Sequence, residues 1–98
     1  MKPLTLKDYQ REVQDFPGPV ILFFTALWAT PAIKTADFLR SSNLEIKIFS
    51  VDYDTERELV EKFSVRDLPT VFFLRYGHIE SYTYDGVTTE VQLKALIK

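Results

Sequence analysis

The longest unbroken apolar run in the chain is Val20-Ile21-Leu22-Phe23-Phe24. A run that is apolar on both faces predicts a central strand, Val20–Thr25, covered by helices on each side. Upstream, Leu6, Tyr9, Val13 and Phe16 recur at helical spacing behind a cap-like Thr5-Leu6-Lys7-Asp8, and Pro17-Gly18-Pro19 ends that helix. Leu4–Leu6 predicts a short edge strand before it. Downstream, Pro31 opens a helix: its missing N–H has no partner in a first turn anyway, and its φ is already helical. This helix runs to about Arg40, with Ala32, Ile33, Ala36 and Leu39 inward and Lys34, Asp37 and Arg40 outward, until Ser41-Ser42-Asn43 breaks the pattern.

In the second half, Leu44, Ile46 and Ile48 alternate with Glu45 and Lys47, predicting a strand over Leu44–Val51. Thr55-Glu56-Arg57-Glu58 fits a capping box for a helix whose apolar face is Leu59, Val60 and Phe63. Thr70–Leu74 predicts a second buried strand. Tyr76-Gly77-His78 turns it into Ile79–Tyr84, a hairpin strand with one polar face on which Tyr82 and Tyr84 form an aromatic stripe. Thr89-Glu90-Val91-Gln92 caps a final helix with Val91, Leu93, Leu96 and Ile97 as its contacts. The order β-α-β-α-β-α-β-β-α predicts an α/β domain, residues 1–98, with a mixed sheet covered on both faces.

The chemistry concentrates at one place. Trp28-Ala29-Thr30-Pro31-Ala32 joins the central strand to a helix N-terminus, where free N–H groups and the positive end of the helix dipole converge. Thr30 is placed to cap that helix. Thiolate chemistry uses such ends, yet Ala29 and Ala32 carry no reactive group. The chain has no cysteine, which removes disulfides, thiol catalysis and iron–sulfur ligation. Its one histidine, His78, sits in a predicted hairpin turn, so a metal site with three or four ligands is not expected. Charge is mild: residues 1–49 carry six basic and five acidic side chains, residues 50–98 six and nine. Neither nucleic acid nor a membrane surface is expected as a partner, and no apolar run approaches the roughly 20 residues of a membrane span. Met1-Lys2-Pro3 opens without the apolar region of a signal peptide, and a cytoplasmic location is expected.

Four segments carry a resemblance to a known family. Trp28-Ala29-Thr30-Pro31-Ala32 resembles the thioredoxin motif Trp-Cys-Gly-Pro-Cys with alanine in place of both cysteines. Val65-Arg66-Asp67-Leu68-Pro69-Thr70 resembles the family's segment around its cis-proline, and Arg75-Tyr76-Gly77 its hairpin turn. Asp85-Gly86-Val87 followed by Gln92-Leu93-Lys94 resembles its last turn and helix. The four occur in the family's order across nearly the whole chain. The resemblance implies the thioredoxin fold, a five-stranded mixed sheet of order 1-3-2-4-5 flanked by four helices. It implies that the catalytic cysteine positions are Ala29 and Ala32, and that Leu68–Pro69 is a cis peptide. It also implies a groove for an extended peptide over Trp28, Thr30, Pro31, Leu68, Pro69, Asp85, Gly86 and Val87.

The supporting residues depart from the family pattern as well. Phe23 stands where relatives commonly bury an aspartate that moves protons to and from the second cysteine. Ile48 stands for a nearby lysine, and Asp37 for a mid-helix proline. The resemblance therefore implies a monomeric thioredoxin-like protein without redox activity or cofactor, acting through a protein or extended-peptide partner. The alternative is an engineered Cys→Ala form of a working protein disulfide reductase, whose partners would be thioredoxin reductase and disulfide substrates.

Overall fold

A computed structural model describes residues 1–97 of the chain. Its elements, in order, are β1 (Lys2–Pro3), α1 (Leu6–Tyr9), β2 (Pro19–Thr25), α2 (Thr30–Ser41), β3 (Lys47–Asp52), α3 (Arg57–Lys62), β4 (Thr70–Arg75), β5 (His78–Thr83) and α4 (Glu90–Ile97). Helix α1 continues as a wider π turn over Gln10–Gln14, with the Asp15 N–H donating to the Gln10 carbonyl five residues back. The strands form one sheet in the order β1-β3-β2-β4-β5. β1 and β2 run parallel to β3, whereas β2–β4 and β4–β5 are antiparallel.

The apolar run of β2 explains the architecture. Alternate residues feed two separate cores: Val20, Leu22 and Phe24 join Tyr9, Val13, Leu59 and Val60 on the α1/α3 side. Ile21 and Phe23 join Ala32, Leu39, Leu93 and Leu96 on the α2/α4 side. Val20 through Phe24 are at most 1% exposed, as a strand with two covered faces requires.

Several boundaries differ from the expectations above. The edge strand is Lys2–Pro3, not Leu4–Leu6. The Leu4 N–H still donates to Ser50 at 2.8 Å, but the Leu6 N–H is taken by the Glu56 carboxylate at 3.2 Å, where the helix begins. β3 starts at Lys47 because its ladder with β2 begins at Val20↔Lys47; Leu44 and Ile46 lie before it, half-buried against the α2/α4 core. Thr55 does not cap α3. The Asp52 carboxylate accepts the Asp54 and Thr55 N–H groups at 2.8 and 3.2 Å, and this local turn delays the helix to Arg57. In α2 the inward stripe is Ala32, Thr35, Ala36 and Leu39, with Ile33 54% exposed instead of inward. Val91 likewise points away from the core and is 78% exposed. The capping box of α4 forms as expected: Gln92 N–H donates to Thr89 Oγ1 at 3.2 Å, and Thr89 N–H donates to Gln92 Oε1 at 3.1 Å.

Candidate functional site

β2, the central strand, ends at Thr25, and α2 begins at Thr30, so Ala26 to Ala29 form the turn between them. Ala29 is the N-cap of α2 and has no side chain to cap with. Thr30 is the first helical residue and makes no capping bond, contrary to the expected role: the chain turns one residue earlier than Pro31 implies. Ala29 and Ala32 are 4% and 1% exposed and face the α2/α4 core. Around them the surface is apolar and open: Leu27 is 98% exposed and Trp28 63%. An exposed tryptophan would normally swing freely, but this one is fixed. Its Nε1–H donates to Asp54 Oδ2 at 2.8 Å, and its ring meets Tyr53 edge-on, centroids 6.1 Å apart.

A second wall comes from the chain before β4. Leu68–Pro69 is a cis peptide. Leu68 is half-buried against the same core as Ala29 and Ala32, and Pro69 is buried. No hydrogen bond among the described residues uses the Leu68 N–H or carbonyl. The third wall is the turn before α4. Gly86 has φ +85°, and a Cβ there would lie 2.5 Å from Thr35 Oγ1 and 3.3 Å from Pro69 Cγ, so only glycine lets these three segments close. The Val87 N–H donates to the fully buried Thr35 hydroxyl at 3.1 Å. Val87 shares the core of Ala29, Ala32 and Leu68, whereas Asp85 is exposed beside it.

The residues expected at the groove thus divide. Ala29, Ala32, Leu68 and Val87 share one core cluster, and Pro69 meets Gly86 through close contact. Trp28, Thr30, Pro31 and Asp85 are exposed at the segments that meet there. Sequence reading missed Tyr53 and Asp54, which hold Trp28, and Thr35, which ties α2 to the Gly86 turn. Thr35 was detectable, since Ala32, Thr35, Ala36 and Leu39 follow the i, i+3, i+4, i+7 stripe. Asp54 carried no signal, because its contact with Trp28 spans 26 residues.

Behind the turn lies a pocket of about 320 Å³, lined in part by Phe23, Ala32, Ile33 and Ala36. Phe23, fully buried, stands there where relatives commonly bury an aspartate, and Asp37 and Asp52 also line the pocket. Among the described residues no group of three metal-binding side chains gathers anywhere.

The model of the thioredoxin family matches residues 1–98. The chain belongs to the thioredoxin family. It is 26% identical over 98 residues to a thioredoxin of Pseudomonas aeruginosa, covering 96% of this chain and 90% of that one. It is 36% identical over 67 residues to thioredoxin H5 of Oryza sativa, which covers 65% of this chain and half of the rice protein's length. The crystal structure of Trxlp from Edwardsiella tarda matches with a TM-score of 0.83 at 18% identity, covering 99% of this chain and 98% of that one. The fold is the thioredoxin fold, with the sheet order expected from the sequence. Among the described residues no helix is long and apolar enough to cross a membrane.

Proposed function

We propose that this thioredoxin-like protein has no redox activity and works by binding an extended segment of a partner protein across the surface around the α2 turn. The observation that carries this reading is the pairing of a fixed, exposed Trp28 with a bare Leu68 backbone, at a site whose two reactive positions are alanine. Leu27 and Trp28 expose adjacent apolar side chains at a place the family uses for contact. The Leu68 N–H and carbonyl offer a donor and an acceptor to a passing extended backbone. The Asp54 bond and the Tyr53 ring hold the Trp28 indole in position before binding, which reduces the entropy lost in the complex.

Chemically, disulfide exchange needs a thiolate, and this chain has none. Thr30 cannot replace one, since no base stands near its hydroxyl among the described hydrogen bonds. The purified protein is therefore expected to leave insulin disulfides intact in a reduction assay. Binding is tested by amide hydrogen exchange on the complex with a captured partner. Protection is expected at Trp28, Leu68 and Gly86, and an interface confined to the opposite face, around α1 and α3, would overturn the proposal.

A further inference from the structure

The pocket behind the α2 turn is open on the side of β3. Its sheet wall is two adjacent cross-strand pairs, Phe23↔Ser50 and Thr25↔Asp52. Its helix wall is Ala32 and Ala36, two small side chains one turn apart that leave a gap between α2 and the sheet. Met1, Leu27 and Ile33 stand at its exposed rim, and none of the three joins either core. An apolar floor is thus edged by apolar side chains that nothing inside the molecule covers.

The charges at the pocket are already engaged. Asp37 and Arg40, one turn apart on α2, pair with each other at 3.6 Å. The Asp52 carboxylate accepts the Asp54 and Thr55 N–H groups at 2.8 and 3.2 Å. A charged occupant would lose water against Phe23 and the two alanines and find no free counter-charge in return. A neutral apolar occupant loses nothing there and covers Leu27 and Ile33 as it enters.

The pocket is also joined to the Trp28 site. Leu27, at its rim, directly precedes Trp28 in the turn. Asp52, in its wall, holds the Asp54 N–H, and Asp54 in turn accepts the Trp28 indole N–H at 2.8 Å. We infer that the partner segment carries a large apolar side chain, of leucine size or more, that leaves the groove past Leu27 and seats in this pocket between α2 and β3. This inference rests on the binding function proposed above and adds the chemistry of the ligand.

The test uses three pools of randomised decapeptides whose central residue is fixed as leucine, as asparagine, which is close to leucine in shape but polar, or as lysine. Each is titrated into the isotopically labelled full chain and followed by amide and indole NMR shifts. The leucine pool is expected to bind about tenfold more tightly than either of the others, and to shift Ala36 and Ser50 together with Trp28 and Leu68. Ala36→Phe fills the pocket and should abolish that preference while the shifts at Trp28 and Leu68 persist. Ile33→Ser, at an exposed position where the fold is retained, should reduce the preference to roughly threefold. Equal affinity of the leucine and asparagine pools, with shifts at Trp28 and Leu68 but none at Ala36 or Ser50, would overturn the apolar seat and leave the groove standing. Tightest binding by the lysine pool would give the pocket to a cation and overturn the inference. Shifts at Ala36 and Ser50 without Trp28 or Leu68 would make the pocket a separate site and overturn its part in holding the segment. No shift at either place would overturn both readings. Shifts at Ala36 and Ser50 on raising protein concentration alone would assign the pocket to a second copy of the chain and overturn the inference.

Discussion

The N-termini of α2 and α4 solve the same problem in opposite ways. Every helix start leaves backbone N–H groups without partners inside the helix. At α4 the side chains supply them: Gln92 Oε1 accepts the Thr88 and Thr89 N–H groups at 2.7 and 3.1 Å, and Thr89 Oγ1 accepts the Gln92 N–H at 3.2 Å. At α2 no side chain does this; its N-cap is Ala29, and the turn's own carbonyls take the N–H groups, Ala29 donating to Ala26 at 3.1 Å, Thr30 to Trp28 at 3.1 Å and Ala32 to Ala29 at 2.9 Å. The α4 start is ringed by polar side chains that serve the helix. The α2 start is flanked by exposed apolar ones, Leu27 and Trp28, that do not cap the helix. The first arrangement optimises stability. The second satisfies its N–H groups from the turn backbone and leaves apolar area for something outside.

The comparison breaks most visibly if the floor beneath α2 is made polar. Phe23→Asp should destabilise the fold by on the order of 3 kcal/mol, because it puts a carboxyl among fully buried apolar neighbours. Burial raises the folded-state pKa of such a carboxyl above the unfolded value of about 3.9. The folded state then holds more protons than the unfolded one, so stability should fall as pH rises from about 4 until the raised folded pKa is passed. Urea unfolding across that range, against the parent chain, reads this slope; a midpoint unchanged at neutral pH would show that the floor is not apolar in the way described.

Trp28→Ala comes next. It should weaken the partner complex by on the order of 2 kcal/mol, as for a central aromatic anchor, while changing the unfolding midpoint far less. Calorimetric titration together with urea melts separates the two effects, and an equal loss in both would make Trp28 a structural residue. Gln92→Ala should do the reverse, costing about 1 kcal/mol of stability by uncapping α4, with binding unaffected. The smallest effect is expected from Ala29→Ser, which gives α2 the side-chain cap it lacks. A gain of about 0.5 kcal/mol in stability would confirm that the helix start is under-capped. A loss would mean that the buried setting of Ala29 does not admit a hydroxyl.

Much of this was legible in the sequence, and the failures share a cause. β2 could be read because five adjacent apolar residues admit no amphipathic helix. α4 could be read because Thr89 and Gln92 lie three residues apart and need only each other. The cis-proline turn was legible by resemblance alone. Local signals failed wherever a distant group intervened. Leu6 enters α1 against Glu56, Asp52 captures the N–H groups that Thr55 was expected to organise, and Trp28 is fixed by Asp54. Ile33 and Thr35 were exchanged for a different reason: an isoleucine reads as core by type, whereas the helical stripe places the threonine there, facing the Gly86 turn.

The central claim is that the site around α2 has left redox chemistry behind and retains contact. It is tested most directly by the turnover of the double variant Ala29→Cys/Ala32→Cys in insulin reduction. The two intervening residues at a helix start suit a disulfide of ordinary geometry, and the helix end should lower the pKa of the thiol at position 29 below the free value of about 8.5. The bond should therefore form and break reversibly, but turnover should stay slow, because fully buried Phe23 offers no proton to the thiol at position 32. Adding Phe23→Asp should raise the rate. Rapid turnover from the two cysteines alone would contradict the claim and mark the chain as a disulfide reductase that lacks only its sulfur.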